Sequence, residues 1–281
     1  MNTSHDRLVV VGAGLAGLRA AETARLAGFT GSITLVGAEE LPPYDRPPLS
    51  ESVLAVGVKT TVQTFRTVEQ LSRKLGVEFL GGRQATALQF ARRTLELDER
   101  ESLCYDRQII ATRAHHDRFE GSDASGVTTL RTAADAYIVR EALDRRARVV
   151  VIGAGLIGSE VASAARARGM SVVLLDVQPL PLVRAVGLEA GRICAALQRQ
   201  AGTDLRVGVE VEALESHRGH VAAVALRGGT TLAADLVVVD RGAQPATRWL
   251  IDSGIMLHPN DGGIVCGPDL RTSVPDVLCM R

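Results

Sequence analysis

Two glycine-rich turns are the residues whose types and spacing most clearly indicate chemistry in this sequence. The first spans Gly12–Gly17 and reads GAGLAG, and the second, about 141 residues later, spans Gly153–Gly158 and reads GAGLIG. In a G-x-G-x-x-G turn the first glycine permits a tight bend, the second admits a pyrophosphate, and the third allows close packing of helix on strand. The two turns therefore predict two dinucleotide sites, with the phosphates at helix N-termini.

A carboxylate near the end of the next strand is expected to select each nucleotide. Asp176 lies 21 residues beyond Gly155, where it can accept hydrogen bonds from ribose hydroxyls. Its charge would repel a 2′-phosphate, and neither Val177 nor Gln178 supplies a cation, which favours NADH over NADPH. In the first repeat the corresponding candidate is Glu39, for which the alternative is a solvated loop acid.

The segments around both turns have the pattern of βαβ units. Unbroken aliphatic runs at 8–11 and 149–152 lead into the glycines, and helical periodicity follows. Further strands are predicted at 32–36 and 171–176. This repetition indicates an internal duplication of a nucleotide-binding unit. We therefore predict an α/β fold with two Rossmann-like dinucleotide-binding domains.

Composition excludes several other classes of function. Thirty-two basic residues balance 32 acidic ones and only 3% of the residues are aromatic, which disfavours a nucleic-acid partner. The first apolar run, at 8–11, is too short for a signal or membrane segment, so we expect a cytoplasmic protein. The four cysteines contain no C-x-x-C pair, so they predict neither a redox dithiol nor a zinc site. The short cluster His115–Asp117 does not predict a metal site either.

The segment Pro43–Ser50, which reads PYDRPPLS, resembles the signature of FAD-dependent ferredoxin or rubredoxin reductases that pass electrons from NADH to oxygenase systems. The resemblance continues through Tyr105–Arg107, Gly155–Glu160 and Leu270–Pro275, and it covers nearly the whole chain. It implies hydride transfer from NADH to the flavin and then electron transfer to a ferredoxin- or rubredoxin-like iron–sulfur protein. Because the flavin carries that chemistry, no side-chain nucleophile is required.

The resemblance also implies a domain order and a set of binding residues. Residues 1–113 and a returning segment, 242–281, would form the FAD-binding domain, and residues 114–241 would form an NAD-binding domain inserted between them. NADH would contact Gly153, Gly155, Ile157 and Asp176, with Glu160 near the nicotinamide as the catalytic candidate or, alternatively, as a helix-surface acid. FAD would contact Gly12, Gly14, Leu15, Ala16, Glu39, Arg46, Ala85 and Ala111.

Several residues depart from the family pattern, and we expect them to weaken flavin binding. Glu51 replaces a basic residue and Arg113 replaces a glycine, although the Arg113 guanidinium could instead contact the pyrophosphate. Asp240 and Arg241 alter a third glycine motif, and Arg281 replaces a further glycine at the last position. We expect no comparable damage in the nicotinamide unit.

The family's C-terminal domain is expected to be missing, which would expose apolar surface unless an oligomer or a separate chain covers it. The alternative to a reductase is a truncated, flavin-poor paralogue that binds nicotinamide nucleotides as a regulatory module without turnover.

Overall fold

The computed structural model describes residues 6–57, 61–115 and 121–280, which form two compact units. Unit 1 contains residues 6–45, 63–115 and 243–280, and unit 2 contains residues 46–57, 61–62 and 121–242. Unit 2 is therefore inserted into the chain of unit 1. The predicted α/β fold of two Rossmann-like units, one interrupting the other, is confirmed.

The elements of the described ranges are numbered in chain order. The helices are α1 (Leu15–Leu26), α2 (Val68–Leu75), α3 (Ala133–Asp144), α4 (Leu156–Ala167) and α5 (Val183–Gln200), with short 3₁₀ turns at Pro47–Leu49, Phe90–Arg92, Asp98–Arg100 and Arg248–Leu250. The strands are β1 (Arg7–Val11), β2 (Ser32–Gly37), β3 (Val77–Gly81), β4 (Ala85–Gln89), β5 (Thr94–Leu97), β6 (Ser102–Cys104), β7 (Arg107–Ile110), β8 (Ala114–His115), β9 (Val127–Thr128), β10 (Val149–Ile152), β11 (Val172–Asp176), β12 (Asp204–Val207), β13 (Val211–His217), β14 (His220–Leu226), β15 (Thr231–Ala233), β16 (Leu236–Val239), β17 (Gln244–Pro245) and β18 (Val277–Cys279). Among these helices, none combines the length and apolarity needed to cross a bilayer.

Unit 1 is built on a parallel sheet with the strand order β18-β7-β1-β2-β3. Successive side chains of β1 point to opposite faces of the sheet, and both faces are covered. Leu8 and Val10 join a core with Leu18 of α1 and Leu71 of α2. Val9 and Val11 join a second core that includes side chains of the antiparallel sheet β4-β5-β6 and of the returning segment.

Unit 2 repeats this arrangement with the strand order β12-β11-β10-β16-β9. One face of its parallel sheet packs on the antiparallel sheet β13-β14-β15, where Val150 and Ile152 share a core with Val224 and Leu226. All four residues of β10 and of β16 are buried, as expected for central parallel strands covered on both sides.

The segment 46–57 is fastened to unit 2 by two arginines. Arg140 Nη1 donates to the Val53 carbonyl at 3.0 Å, and Arg168 Nη1 donates to the Leu54 carbonyl. The Arg168 side chain is only 9% exposed and its Nε lies 3.6 Å from a carboxylate oxygen of Asp144. These contacts fix the position of the loop that contains Glu51 within unit 2.

Each parallel sheet has the same Arg–Asp pair at the N-terminal ends of two neighbouring strands. Arg7 donates its backbone N–H and Nε to Asp106 Oδ2 at 2.9 Å each, and its Nη2 to Oδ1 at 3.3 Å. Arg148 repeats the pattern on Asp235 at 2.8, 2.9 and 2.6 Å. These hydrogen bonds from arginine lower the pKa of both carboxyls from 3.8 to about 2.

We expect both pairs to make folding sensitive to acid. Because the folded pKa is depressed, the stabilisation is complete above about pH 4 and is lost as the pH falls towards 2. Asp106→Asn and Asp235→Asn should lower the urea midpoint at pH 7, and their difference from wild type should shrink steadily as the pH falls from about 4 through 2. Glu212→Gln, at an exposed position of β13, is the control. A difference that stays constant with pH would contradict the assignment.

Candidate functional site

The first glycine turn leaves no space for side chains where α1 meets the sheet. Gly12 has φ +110°, and a Cβ on it would lie 2.2 Å from the Ala111 carbonyl oxygen. A Cβ on Gly17 would lie 2.0 Å from the Gly12 carbonyl oxygen. The helix N-terminus is thereby drawn against the carboxyl end of β1, and its N-cap, Gly14, has no side-chain cap. This is the cradle that a pyrophosphate requires.

The second glycine turn repeats the same geometry in unit 2. Gly153 has φ +106°, and a Cβ there would lie 2.0 Å from the Asp240 carbonyl oxygen. A Cβ on Gly158 would lie 1.9 Å from the Gly153 carbonyl oxygen. The backbone hydrogen bonds beside the two turns also correspond. The Ala111 N–H donates to the Val11 carbonyl, and the Asp240 N–H donates to the Ile152 carbonyl, both at 2.7 Å. Ala111 and Asp240 therefore take equivalent places in the two units.

The Arg113 guanidinium faces the first cradle. Its Nε lies 3.0 Å from the position that a Cβ on Gly14 would take. Arg113 has φ +60°, in the left-handed region that favours glycine, so the backbone here keeps the conformation of the residue that the family pattern has. A cation at the N-terminus of α1 adds to the positive potential for a bound diphosphate.

Glu39 is held in place rather than solvated as a free loop acid. The buried Tyr44 hydroxyl donates to Glu39 Oε2 at 2.5 Å, and the Gly82 N–H donates to the Glu39 carbonyl at 3.0 Å. Glu39 itself is half-buried. Its carboxylate is thus fixed in the loop that follows β2.

Asp176 ends β11 beside the second glycine turn. Its Oδ2 accepts from the Ala154 N–H at 2.7 Å and its Oδ1 from the Gln178 N–H at 2.8 Å. A carboxylate offers about four lone-pair positions, so acceptor capacity remains for ribose hydroxyls. Asp176 lines a cavity of about 410 Å³, called the glycine-turn cavity below, with Gly153, Gly155, Leu156, Arg184, Asp240 and Arg241 among its walls.

The remaining residues predicted for the nucleotides occupy different places. Leu15 and Ala16 form the first turn of α1, Ala85 opens β4 and is buried, and Ile157 is in the first turn of α4. Arg46 belongs to unit 2, where its Nη1 donates to the Arg131 carbonyl. The structure thus gathers Gly12, Gly14 and Ala111 at one cradle and Gly153, Gly155 and Asp176 at the other.

Glu160 is half-buried and lines a second cavity, of about 450 Å³, which is open to solvent. Glu51 lines the same cavity, which we call the Glu51–Glu160 cavity. Ser159 also lines it, and its Oγ is buried without a hydrogen-bond partner among the described residues. Two carboxylates and a hydroxyl in one cavity can position a polar or cationic ligand group.

The expectation that Asp240 and Arg241 act on the flavin side is wrong in its placement. Both residues line the glycine-turn cavity of unit 2. The cause is the register of β16, whose last residue pairs with the last residue of β10, so that the next residue reaches the second glycine turn. The strand pairing that decides this is invisible in the sequence. Arg281 lies outside the described residues.

Arg184 is a cavity residue to which sequence reasoning gave no role. It lies in the first turn of α5 and lines the glycine-turn cavity. The presence of a basic residue soon after Asp176, at the end of β11, is a sequence feature that could indicate Arg184. Its position at the cavity, however, depends on how α5 packs in the fold.

The described residues contain no group of three or more histidine, cysteine, aspartate or glutamate side chains placed to hold a metal ion. The cysteines at 104, 194, 266 and 279 are free thiols, and only Cys279 is buried. His116 and Asp117 lie outside the described residues.

Known proteins similar to this chain include several reductases. The chain is 34% identical over 275 residues to the ferredoxin–NAD(+) reductase component of the biphenyl dioxygenase system of Paraburkholderia xenovorans, covering 97% of this chain and 66% of that protein. It is 32% identical to a rubredoxin–NAD(+) reductase of Pseudomonas putida, covering 95% of this chain and 69% of that protein. The chain thus spans about two thirds of the length of these curated relatives.

A solved structure supports the same relationship at the level of the fold. The reductase in the covalent putidaredoxin reductase–putidaredoxin complex matches with a TM-score of 0.89 and 34% identity, covering 99% of this chain and 67% of that one. The family model for pyridine nucleotide-disulphide oxidoreductases matches residues 6–280. The chain therefore belongs to the pyridine nucleotide-disulphide oxidoreductase family, and ferredoxin and rubredoxin reductases are among its relatives.

Proposed function

We propose that this chain is the nucleotide-binding part of an FAD-dependent NADH oxidoreductase of the ferredoxin reductase type. Unit 1 would hold FAD and unit 2 would hold NADH. The observation that carries the proposal is the presence of two glycine cradles in one chain, each at the carboxyl end of a parallel sheet and at a helix N-terminus.

In unit 1 the groups present fit a flavin dinucleotide. Gly12 and Gly14 leave the cradle open, and the Arg113 guanidinium offers a cation to the pyrophosphate. Glu39, oriented by the Tyr44 hydroxyl, would accept hydrogen bonds from the adenosine ribose. Leu15, Ala16, Ala85 and Ala111 remain binding candidates on the strength of the family pattern. The same pattern is the basis for Arg46 as a candidate, although Arg46 belongs to unit 2.

In unit 2 the groups present fit a nicotinamide dinucleotide, with one exception. Gly153 and Gly155 have no side chains to fill the cradle, and Asp176, which lines the glycine-turn cavity, would accept hydrogen bonds from ribose hydroxyls and repel a 2′-phosphate. Glu160 would position the nicotinamide from the Glu51–Glu160 cavity. The exception is the Asp240 carboxylate, which lies over the cradle.

The chain's role in such a reaction is to bind and orient. When bound, the flavin supplies the hydride and single-electron chemistry, so the protein needs no nucleophile of its own. The named relatives serve ferredoxin, rubredoxin or putidaredoxin, which favours an iron–sulfur protein of that kind as acceptor. All three are reductases by name, and they lend no support to a regulatory module without turnover.

The direct test is the visible absorption of the purified protein after it is mixed with FAD and freed of excess. We expect a retained flavin band that NADH bleaches under anaerobic conditions, and slower bleaching in Glu160→Gln with the band itself unchanged. A colourless protein, or a bound flavin that NADH leaves oxidised, would refute the proposed activity.

Arg113 should contribute charge to the FAD site. Arg113→Ala removes the guanidinium and should weaken FAD binding about tenfold, the value of one charge-assisted contact. Arg113→Lys is the matched control, because it carries the same left-handed backbone strain and keeps the cation. The affinity for NADH should be unchanged in both. Tighter FAD binding by Arg113→Ala would show that the guanidinium obstructs the cradle.

Asp176 should set the preference for NADH over NADPH. Asp176→Asn keeps an acceptor for the Ala154 N–H but removes the charge that opposes a 2′-phosphate. We expect the dissociation constant for NADPH divided by that for NADH, both measured by fluorescence titration, to fall about tenfold. Glu212→Gln again serves as control. An unchanged ratio would show that Asp176 does not select NADH over NADPH. A wild-type preference for NADPH would instead indicate that Arg184 and Arg241 bind the 2′-phosphate.

A further inference from the structure

The second cradle already holds an anion from the protein itself. Asp240 Oδ2 accepts a hydrogen bond from the Gly158 N–H at 2.8 Å. Gly158 is in the first turn of α4, whose N-cap, Gly155, has no side-chain cap. The same Oδ2 lies 2.8 Å from the position that a Cβ on Gly155 would take. The carboxylate thus lies over the second glycine of the turn and satisfies one of the free N–H groups of the helix.

This is the place where a helix N-terminus in a glycine turn receives a phosphate. A carboxylate and a phosphate compete there for the same donor and for the same positive end of the helix. Two like charges at such a distance also repel each other strongly when they are partly removed from water. Asp240 and a dinucleotide pyrophosphate therefore cannot both take this position.

Unit 1 offers an internal comparison. The residue equivalent to Asp240 is Ala111, which has no charge, and the side chain that faces Gly14 is the guanidinium of Arg113. The two cradles thus have the same backbone and side chains of opposite charge over them. The difference comes from single side chains and not from the fold.

We propose that Asp240 is a built-in competitor of the pyrophosphate, and that unit 2 binds a dinucleotide only when this carboxylate leaves the N-terminus of α4. The proposal rests on the proposed NADH site of unit 2. Burial lowers the pKa of Arg131 and the charge of Asp240 acts in the opposite direction, so these two side chains attract each other. Asp240 thereby limits the affinity of unit 2 and sets it apart from unit 1.

Calorimetric titration at fixed ionic strength tests the proposal with Asp240→Ala, which gives unit 2 the residue that unit 1 has. We expect NADH to bind at least about tenfold more tightly than to wild type, equivalent to about 1.4 kcal/mol. Inorganic pyrophosphate should compete with NADH in the variant at concentrations that leave wild type unaffected. Asp204→Asn, at the opposite end of the parallel strands of unit 2, is the control for loss of a carboxylate.

Asp240→Asn is a second test in case the alanine variant folds poorly. Asparagine removes the charge but retains the size of the side chain and an acceptor for the Gly158 N–H. It should also bind NADH more tightly than wild type. If wild type binds NADH and neither variant binds it more tightly, the inference fails and the proposed NADH site stands. If neither wild type nor the two variants bind NADH, but the variants bind pyrophosphate and wild type does not, the proposed function fails and the competition between Asp240 and the anion stands.

Discussion

The close approach of helix and strand at each glycine turn is the constraint on which both sites depend. The third glycine of each turn packs against the carbonyl of the first, at distances that any side chain would violate. This contact brings the N-termini of α1 and α4 to the carboxyl ends of their sheets. Every other feature of the two sites, from the acidic residues after the second strands to the charges over the cradles, is arranged around those two helix ends.

Much of this architecture follows from local sequence. The glycine turns, the aliphatic strands and the helices after them depend on residues close together in the chain, so their pattern predicts them well. Glu39 and Asp176 could be nominated by their distance from the glycines. The insertion of one unit into the other could be predicted only from the resemblance to a family, because no periodic pattern marks where a sheet resumes.

The features that sequence reasoning did not find depend on contacts between distant segments. The placement of Asp240 is decided by the pairing of β16 with β10, and that of Glu51 by two arginines that hold segment 46–57 in unit 2. Arg113 departs from the family pattern in sequence, but only its backbone conformation and its position over Gly14 show how a large side chain is accommodated. In each case the sequence identifies the residue but does not show which distant residue it contacts.

The strand order of unit 1 also governs when its sheet can be completed during synthesis. β18 pairs with β7, although the larger segment of unit 2, which ends at residue 242, lies between the two strands in the chain. All described residues of unit 2 have left the peptidyl-transferase centre once residue 242 is added, whereas unit 1 still lacks its edge strand. On the ribosome β7 therefore waits longer for its second neighbour, β18, than β10 waits for β16. A nascent chain that pauses in this interval exposes the unpaired edge of β7 to pairing with another chain.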